Sequence, residues 1–198
     1  MATPAPVTPP RQEGSEWSAR RAYQGASEVL AIQKGPVGGQ FLILDRASLQ
    51  LVDFSSPKAA SLGSFAMDNS AATSGAPLIE RFADSVYVVD AALPGFRVVN
   101  IADPTDFREV TRFSTTGPPT EIAVREGHVY LVVQGGVVVV SVGDLHAPVA
   151  AAARTWRGSE VVRKLAFDEY GRCYFADGAT LAILDGDPDT ETFLNVRA

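Results

Sequence analysis

The stretch VYVVDAALPGFRVVNIADPTDFREVTRF, residues 86–113, decides the fold of this chain. It contains three short apolar segments, VYVVD, FRVVN and FREVTRF, separated by a turn with Pro94 and Gly95 and by a second turn with Asp103 and Pro104. Short runs of β-branched and aromatic residues bounded by Gly, Pro and Asp are typical of half-buried strands in an antiparallel meander. The stretch therefore predicts three consecutive antiparallel strands.

The same pattern recurs three more times along the chain. Its first strand aligns with QFLILD, VYLVVQ and CYFADG when four aromatic residues are placed in register, at spacings of 46, 43 and 44: Phe41, Tyr87, Tyr130 and Tyr174. The strands that follow are SLQLVD, FRVVN, GVVVVS and TLAILD, and a proline lies beyond each of them, at Pro57, Pro104, Pro148 and Pro188. A weaker strand precedes each aromatic residue, and a further strand closes each unit. Four strands in a repeat of about 40 to 45 residues are the signature of a β-propeller blade.

The sequence thus predicts an all-β chain, a β-propeller of four four-stranded blades. The blades are expected at about residues 27–70, 76–114, 119–157 and 159–198. A single blade has two apolar faces, and stacking against neighbouring blades covers them. In the first strand of a blade, Ala31, Ala123 and Ala166 each stand between larger apolar residues. This alternation predicts that the first strand lies innermost, with its small side chains toward the crowded axis.

Residues 1–26 precede the first blade, and their proline-rich start, MATPAPVTPP, predicts a flexible, partly extended tail. Within them, residues 16–24 resemble the outer strand of a blade. Two arrangements are open. This segment closes the ring by pairing with the last blade, which would cover an exposed sheet edge, or the four blades form part of a larger ring that a second copy or another chain completes.

The repeat resembles the LVIVD-type propeller repeat, in which a Tyr-Val-Ala-Asp-like strand is followed by a glycine turn, a strand similar to Leu-Val-Ile-Val-Asp, and Ser-Asp-Pro. The match is best at YVVDAALPGFRVVNIADP, residues 87–104, and it extends to LQLVDFSSP and LAILDGDP. The third blade departs from the pattern, with Ser141 in place of the acid and two extra residues before the proline. The resemblance implies a propeller that serves as a binding or surface module.

Composition excludes several classes of function. The formal net charge of −6, with lysine and arginine spread thinly, argues against a nucleic acid or an anionic membrane as the partner. The sequence has no run of 18 apolar residues, so membrane insertion is not expected. The lone Cys173 has no partner for an internal disulfide. The first residues lack the features of a signal peptide, which predicts a cytoplasmic protein, or a secreted one if an upstream signal has been removed.

Acidic residues recur at the end of the second strand, at Asp45, Asp90 and Asp177, and Gln134 takes this position in the third blade. One hypothesis gathers these acids at the channel mouth as ligands for a divalent cation. The other is that each short side chain caps its hairpin turn by accepting backbone N–H bonds. Because Gln134 interrupts the series and no DxDxDG loop is present, we favour the second hypothesis and predict no metal, no cofactor and no catalytic residue.

Candidate binding residues are those that depart from the repeat. Glu80 and Arg81 stand where the other blades have alanine and an apolar residue. They could line the channel and bind a polar ligand, form an internal ion pair, or lie at a strand end in solvent. Leu93 belongs to a turn that the other blades do not share.

Two further sets combine tryptophan and arginine, the residue types in which interface energy concentrates. Trp17 and Arg21 precede the first blade, and Trp156 and Arg157 follow the third. Each set is either an edge that recruits a partner or part of ordinary blade packing.

The sequence as a whole predicts a non-catalytic binding or scaffold module that engages a protein partner or another copy of itself. The competing hypothesis is a propeller hydrolase or lyase, with a carboxylate or divalent-cation site built from acids such as Asp90 and Asp177 at the channel mouth.

Overall fold

A computed structural model describes the chain at residues 23, 25, 28–56, 58–67, 78–89, 94–134, 136–155, 162–170, 172–177, 180–185 and 190. The first sheet consists of β1 (Val29–Lys34), β2 (Gln40–Asp45), β3 (Ser48–Asp53) and β4 (Ala60–Ala66). The second consists of β5 (Leu78–Phe82), β6 (Ser85–Val89), β7 (Gly95–Asn100) and β8 (Arg108–Ser114). The third consists of β9 (Glu121–Arg125), β10 (His128–Val133), β11 (Gly136–Ser141) and β12 (Val149–Thr155). The fourth consists of β13 (Val162–Phe167), β14 (Arg172–Asp177) and β15 (Thr180–Asp185).

Each sheet is an antiparallel meander in which strands pair in chain order. The tight β5–β6 and β9–β10 hairpins turn through two residues each, with φ of 51° at Ala83, 48° at Glu126 and 76° at Gly127. This left-handed conformation matches the twist of paired strands in short hairpins. The strand expected at 191–198, which would complete the fourth sheet, lies outside the described residues.

The outermost strands of the first three sheets share one irregularity. Each carries an extra residue where the pairing register shifts, at Leu62, Val110 and Ala151. Such a bulge bends the strand and increases its twist. Its recurrence at the same position marks the three sheets as copies of one structural unit.

The apolar cores lie between consecutive sheets, as in a stack of blades. Between the first and second blades, Leu42, Leu44, Leu49 and Leu51 pack with Ile79, Val86, Val88 and Val99. Between the second and third, Tyr87, Val89, Phe96 and Val98 pack with Ile122, Val129, Leu131 and Val140. Between the third and fourth, Tyr130, Val132, Val137 and Val139 pack with Leu165, Cys173 and Phe175. Full burial of one such side chain contributes roughly 1.5–3 kcal/mol, so these three interfaces hold the blades together.

We call the side of a blade that packs on the next blade in the chain its forward face, and the opposite side its backward face. Because strand residues alternate between faces, Tyr87 and Tyr130 lie on forward faces, while Val88 and Leu131 lie on backward faces. The first strands are innermost, as the sequence predicts: β1 packs on β5, β5 on β9 and β9 on β13. The fold is a β-propeller.

The predicted alignment of Phe41 with Tyr87, Tyr130 and Tyr174 is wrong. Leu42 and Leu44 lie on the forward face of the first blade, so Phe41 lies on its backward face. The turn between β1 and β2 spans five residues, 35–39, whereas the equivalent turn of the second blade spans two. An alignment anchored on the aromatic side chains shifts the first blade by an odd number of residues, which reverses every side chain.

The ring-closing strand expected at residues 16–24 lies outside the described residues except for Tyr23. The Tyr23 hydroxyl donates a hydrogen bond to Oε1 of Gln50, and its ring packs edge-on against Phe54 at 6.3 Å between centroids. Gln50 lies on the backward face of the first blade, because it follows Leu49 and precedes Leu51. The one described residue of this segment therefore contacts the first blade.

Gly63 brings the outer strand of the first blade against a turn of the second. A Cβ atom at this position would overlap the backbone carbonyl of Pro104. The Pro104 turn is fixed by Asp103, whose Oδ1 accepts hydrogen bonds from N and Oγ1 of Thr105 at 2.8 and 2.7 Å. The Asp103-Pro104 turn thus has a packing role between the first two blades, for which Gly63 leaves room.

We expect Gly63→Ala to lower the free energy of unfolding by about 1–3 kcal/mol, because the methyl group forces two backbone segments apart. Gly117→Ala is the matched control, since a Cβ there meets no atom within 4 Å. Chemical unfolding monitored by circular dichroism measures both. Equal effects of the two substitutions would contradict the packing role of Gly63.

Candidate functional site

The turns between the first and second strands of the blades form one end of the propeller. They lie at residues 35–39, 83–84, 126–127 and 168–170. Two contacts join neighbouring turns: Arg81 Nε donates to the carbonyl of Lys34 at 3.2 Å, and Arg125 Nη1 donates to the carbonyl of Asp168 at 2.6 Å. We call this end, with the strand termini that flank the turns, the hairpin rim.

Three large apolar side chains are exposed on the hairpin rim. Val37 is 60% exposed, Phe82 43% and Tyr170 75%. Arg172 lies beside Tyr170, with its guanidinium 5.4 Å from the ring centroid. Exposed aromatic side chains next to arginine are the usual anchors of protein interfaces, so the rim has the chemistry of a docking surface.

Asp168 organises the turn that presents Tyr170. Its Oδ1 accepts hydrogen bonds from the backbone N of Tyr170 and of Arg172, both at 3.0 Å. Its Oδ2 accepts from Arg172 Nε at 2.6 Å and from the Tyr174 hydroxyl at 3.0 Å. Partial burial works to raise the pKa of Asp168, but these bonds from Arg172, Tyr174 and Tyr170 outweigh it and lower the pKa to about 2. Tyr170 therefore lies on a turn that these hydrogen bonds hold in place.

Asp168→Asn tests this turn through pH. Because the folded-state pKa of about 2 is below the ordinary value of 3.8, the carboxylate stabilises the fold above pH ~4, and this stabilisation is lost as the pH falls toward 2. We expect the variant to melt below the wild type at pH 6 and the difference to shrink at pH 3, measured by thermal unfolding. Asp106→Asn, at an exposed turn, is the control. A difference that stays constant between the two pH values would refute the assignment.

Glu80 and Arg81, the pair that departs from the repeat, have separate partners. Glu80 is half-buried, and its Oε2 accepts a hydrogen bond from Gln33 Nε2 of the first blade at 3.0 Å. Burial and the nearby Glu121 raise the pKa of Glu80, and Arg81 opposes this in part. Arg81 itself donates to the backbone carbonyls of Lys34 and Ala83, the second at 2.7 Å from Nη1. The pair thus joins the first two blades, and Arg81 belongs to the hairpin rim.

Glu80→Gln keeps an acceptor for Gln33 and removes the charge. Since the folded-state pKa of Glu80 is raised above 4.5, its ionised form weakens the fold at neutral pH and not below about pH 4. We expect the variant to be more stable than the wild type at pH 7 and equal to it at pH 4, by urea unfolding. Glu126→Gln, a well-exposed carboxylate, should be within about 0.5 kcal/mol of the wild type at both pH values. A less stable Glu80→Gln at pH 7 would count against the burial effect.

Asp45, one of the candidate cation ligands, caps its turn. Its Oδ1 accepts hydrogen bonds from the backbone N of Ala47 and Ser48 at 2.8 and 2.6 Å, and its Oδ2 accepts from Gln50 Nε2 at 3.1 Å. Asp90 and the side chain of Asp177 lie outside the described part of the chain. Among the residues that the structure describes, no three His, Cys, Asp or Glu side chains come close enough to hold a metal ion.

The other candidate binding residues fall outside the described ranges; these are Leu93, Trp17, Arg21, Trp156 and Arg157. Sequence reasoning missed Val37, Phe82 and Tyr170. A signal was present, because each is an apolar residue in or beside a predicted turn, where polar residues are usual. In the described ranges, no helix is long and apolar enough to cross a membrane.

No family model and no curated protein match the chain. Among solved structures it is similar to the computationally designed Ika4 protein, with a TM-score of 0.60 and 12% identity over 88% of this chain and 99% of that one. It is also similar to the WD40 domain of SCAP from fission yeast, with a TM-score of 0.56 and 13% identity over 85% of this chain. For the β-propeller domain of Myceliophteria thermophila Cps50 (Swd1), the TM-score is 0.55 with 9% identity over 80%.

The chain spans 44% of the SCAP chain and 56% of the Cps50 chain. At these identities the similarity establishes a shared fold and nothing finer. The protein thus belongs to the class of β-propellers, and its LVIVD-type repeat stays a prediction.

Proposed function

We propose that this protein is a non-catalytic interaction module that binds another protein through the hairpin rim. The observation that carries the proposal is the exposure of Val37, Phe82 and Tyr170, which lie in or directly beside the turns of three different blades. Propellers support many activities on one frame, so this exposed surface, and not the fold, indicates the function. The repeat of this chain resembles the LVIVD-type repeat, which is typical of binding or surface modules, and this resemblance supports the same proposal.

A protein is the partner that fits this surface. The exposed side chains are separate anchors on a rigid frame, and each lies beside polar or charged groups of the same turns. Near Tyr170, for example, Arg172 is tied to Asp168 at 2.6 Å, so its charge is already paired. Interfaces between proteins combine a few apolar anchors with a polar rim in this way.

A photo-crosslinking experiment tests the proposal. The full chain carries p-benzoylphenylalanine at position 170 or, as control, at position 149 in β12, where Val149 is equally open at 62% exposure. Both chains are irradiated in a lysate of the source organism. We expect a discrete covalent adduct at position 170 that is absent at position 149.

Phe82→Glu in the same chain should reduce the yield of that adduct by about 30-fold, the effect of losing roughly 2 kcal/mol at an interface anchor. Its melting temperature is measured first, to show that the variant is folded. An adduct that persists unchanged in Phe82→Glu, or that forms equally at position 149, would overturn the proposal.

A further inference from the structure

Every interface between blades of this chain is built from the same two surfaces. The forward face of one blade meets the backward face of the next, three times in succession. On backward faces, Val124 and Phe167 of the inner strands pack into the core shared with the preceding blade. On forward faces, Ala31 and Ala123 pack into the core shared with the following blade. In a row of four blades, the backward face of the first blade and the forward face of the fourth blade are therefore not paired with another blade of the row.

The backward face of the first blade is uncovered along its inner edge. Ile32 occupies the position of Val124 and Phe167, because Ile32 pairs with Ile43 as Val124 pairs with Val129. Whereas Val124 and Phe167 are partly buried against a preceding blade, Ile32 is 62% exposed. Phe41, on the same face, is 39% exposed. The inner part of this face therefore exposes apolar side chains at positions that pack against a neighbouring blade elsewhere in the chain.

The two described side chains on the inner part of the fourth blade's forward face, Ala166 and Tyr174, are open in a similar way. Ala166 pairs with Tyr174 as Ala123 pairs with Tyr130. Ala123 packs against the fourth blade and Tyr130 is 1% exposed, but Ala166 is exposed and Tyr174 only half-buried. The inner strand β13 makes no contact with β1 comparable to those between the other inner strands described. Within the described ranges, the inner strands of the first and fourth blades therefore do not pack on each other as the other neighbouring inner strands do.

We propose that a second copy of this chain covers both surfaces, with the fourth blade of each copy against the first blade of the other. The two new interfaces repeat the pairing of a forward with a backward face that is found three times within the chain. A two-fold axis along the channel relates the copies, and the head-to-tail contact closes. The result is a ring of about eight blades, which lies within the usual range for propellers.

This inference goes beyond the proposed interaction function, because it concerns two blade faces that are separate from the hairpin rim. The full chain has a mass of 21.0 kDa, so light scattering after size exclusion and native mass spectrometry should both give twice that value. Ile32→Glu and Ala166→Glu should each give 21.0 kDa, because each variant places a buried charge in both interfaces. Val37→Glu, in the same blade and equally exposed at 60%, should keep the doubled mass.

Mixing the two variants provides the decisive measurement. When an Ile32→Glu chain meets an Ala166→Glu chain, both substitutions fall in one interface and the other interface is wild type. We therefore expect the mixture to return to the doubled mass although each variant alone does not. Circular dichroism melting of each variant checks that it is folded.

If residues 16–24 of the same chain close the ring, the wild-type mass is 21.0 kDa. That result would overturn the inference. A doubled mass for Ala166→Glu alone would also overturn it, since two first blades would then pair with each other. So would a mixture that stays at 21.0 kDa. Phe82→Glu should retain the doubled mass, so failure of the rim proposal and failure of ring completion are told apart.

Discussion

The structure depends on one constraint: a four-stranded blade is apolar on both faces, and each face must be covered by another blade. Tyr87, buried on the forward face of the second blade, and Val88, buried on its backward face, are neighbours in sequence that serve two different cores. Because successive strand residues point to opposite sides, a short strand contributes to two interfaces at once. Stability is therefore shared between neighbouring blades, as in other repeat proteins.

The same stacking determines where polar groups can serve a function. Inner strands lie side by side near the axis, so polar side chains there reach across blades, as Gln33 reaches Glu80 and Arg125 reaches the carbonyl of Asp168. Their turns cluster at one end, which creates a surface composed of residues from four blades. Cys173, in contrast, lies inside the third core, where burial raises the pKa of its thiol to about 12 and leaves it protonated.

Much of the fold could be predicted from local patterns. Strand alternation and the proline that recurs after the third strand of each unit, such as Pro104, predicted the strands and the order of the blades. The small residues Ala31, Ala123 and Ala166 predicted the innermost position of the first strand. The prediction failed at Phe41, because the turn at residues 35–39 is longer than the equivalent turns and places Phe41 on the opposite face of its blade. The alternation of apolar residues in a strand does not indicate the length of the turn before it. It also missed the exposure of Phe82 and Tyr170, which depends on how turns from separate blades gather at one end.

The sequence by itself determined the repeat: four units of alternating strands, with small residues in the innermost strand of most blades. These features follow from chain-local geometry, the two-residue period of a strand and the demands of tight turns. Only the tertiary structure decided which side chains meet across blades. The hydrogen bond between Gln33 and Glu80 joins residues 47 positions apart, and Ile32 and Ala166 are exposed on the outward faces of the first and fourth blades. Both depend on contacts between distant units, which no single unit of the repeat encodes.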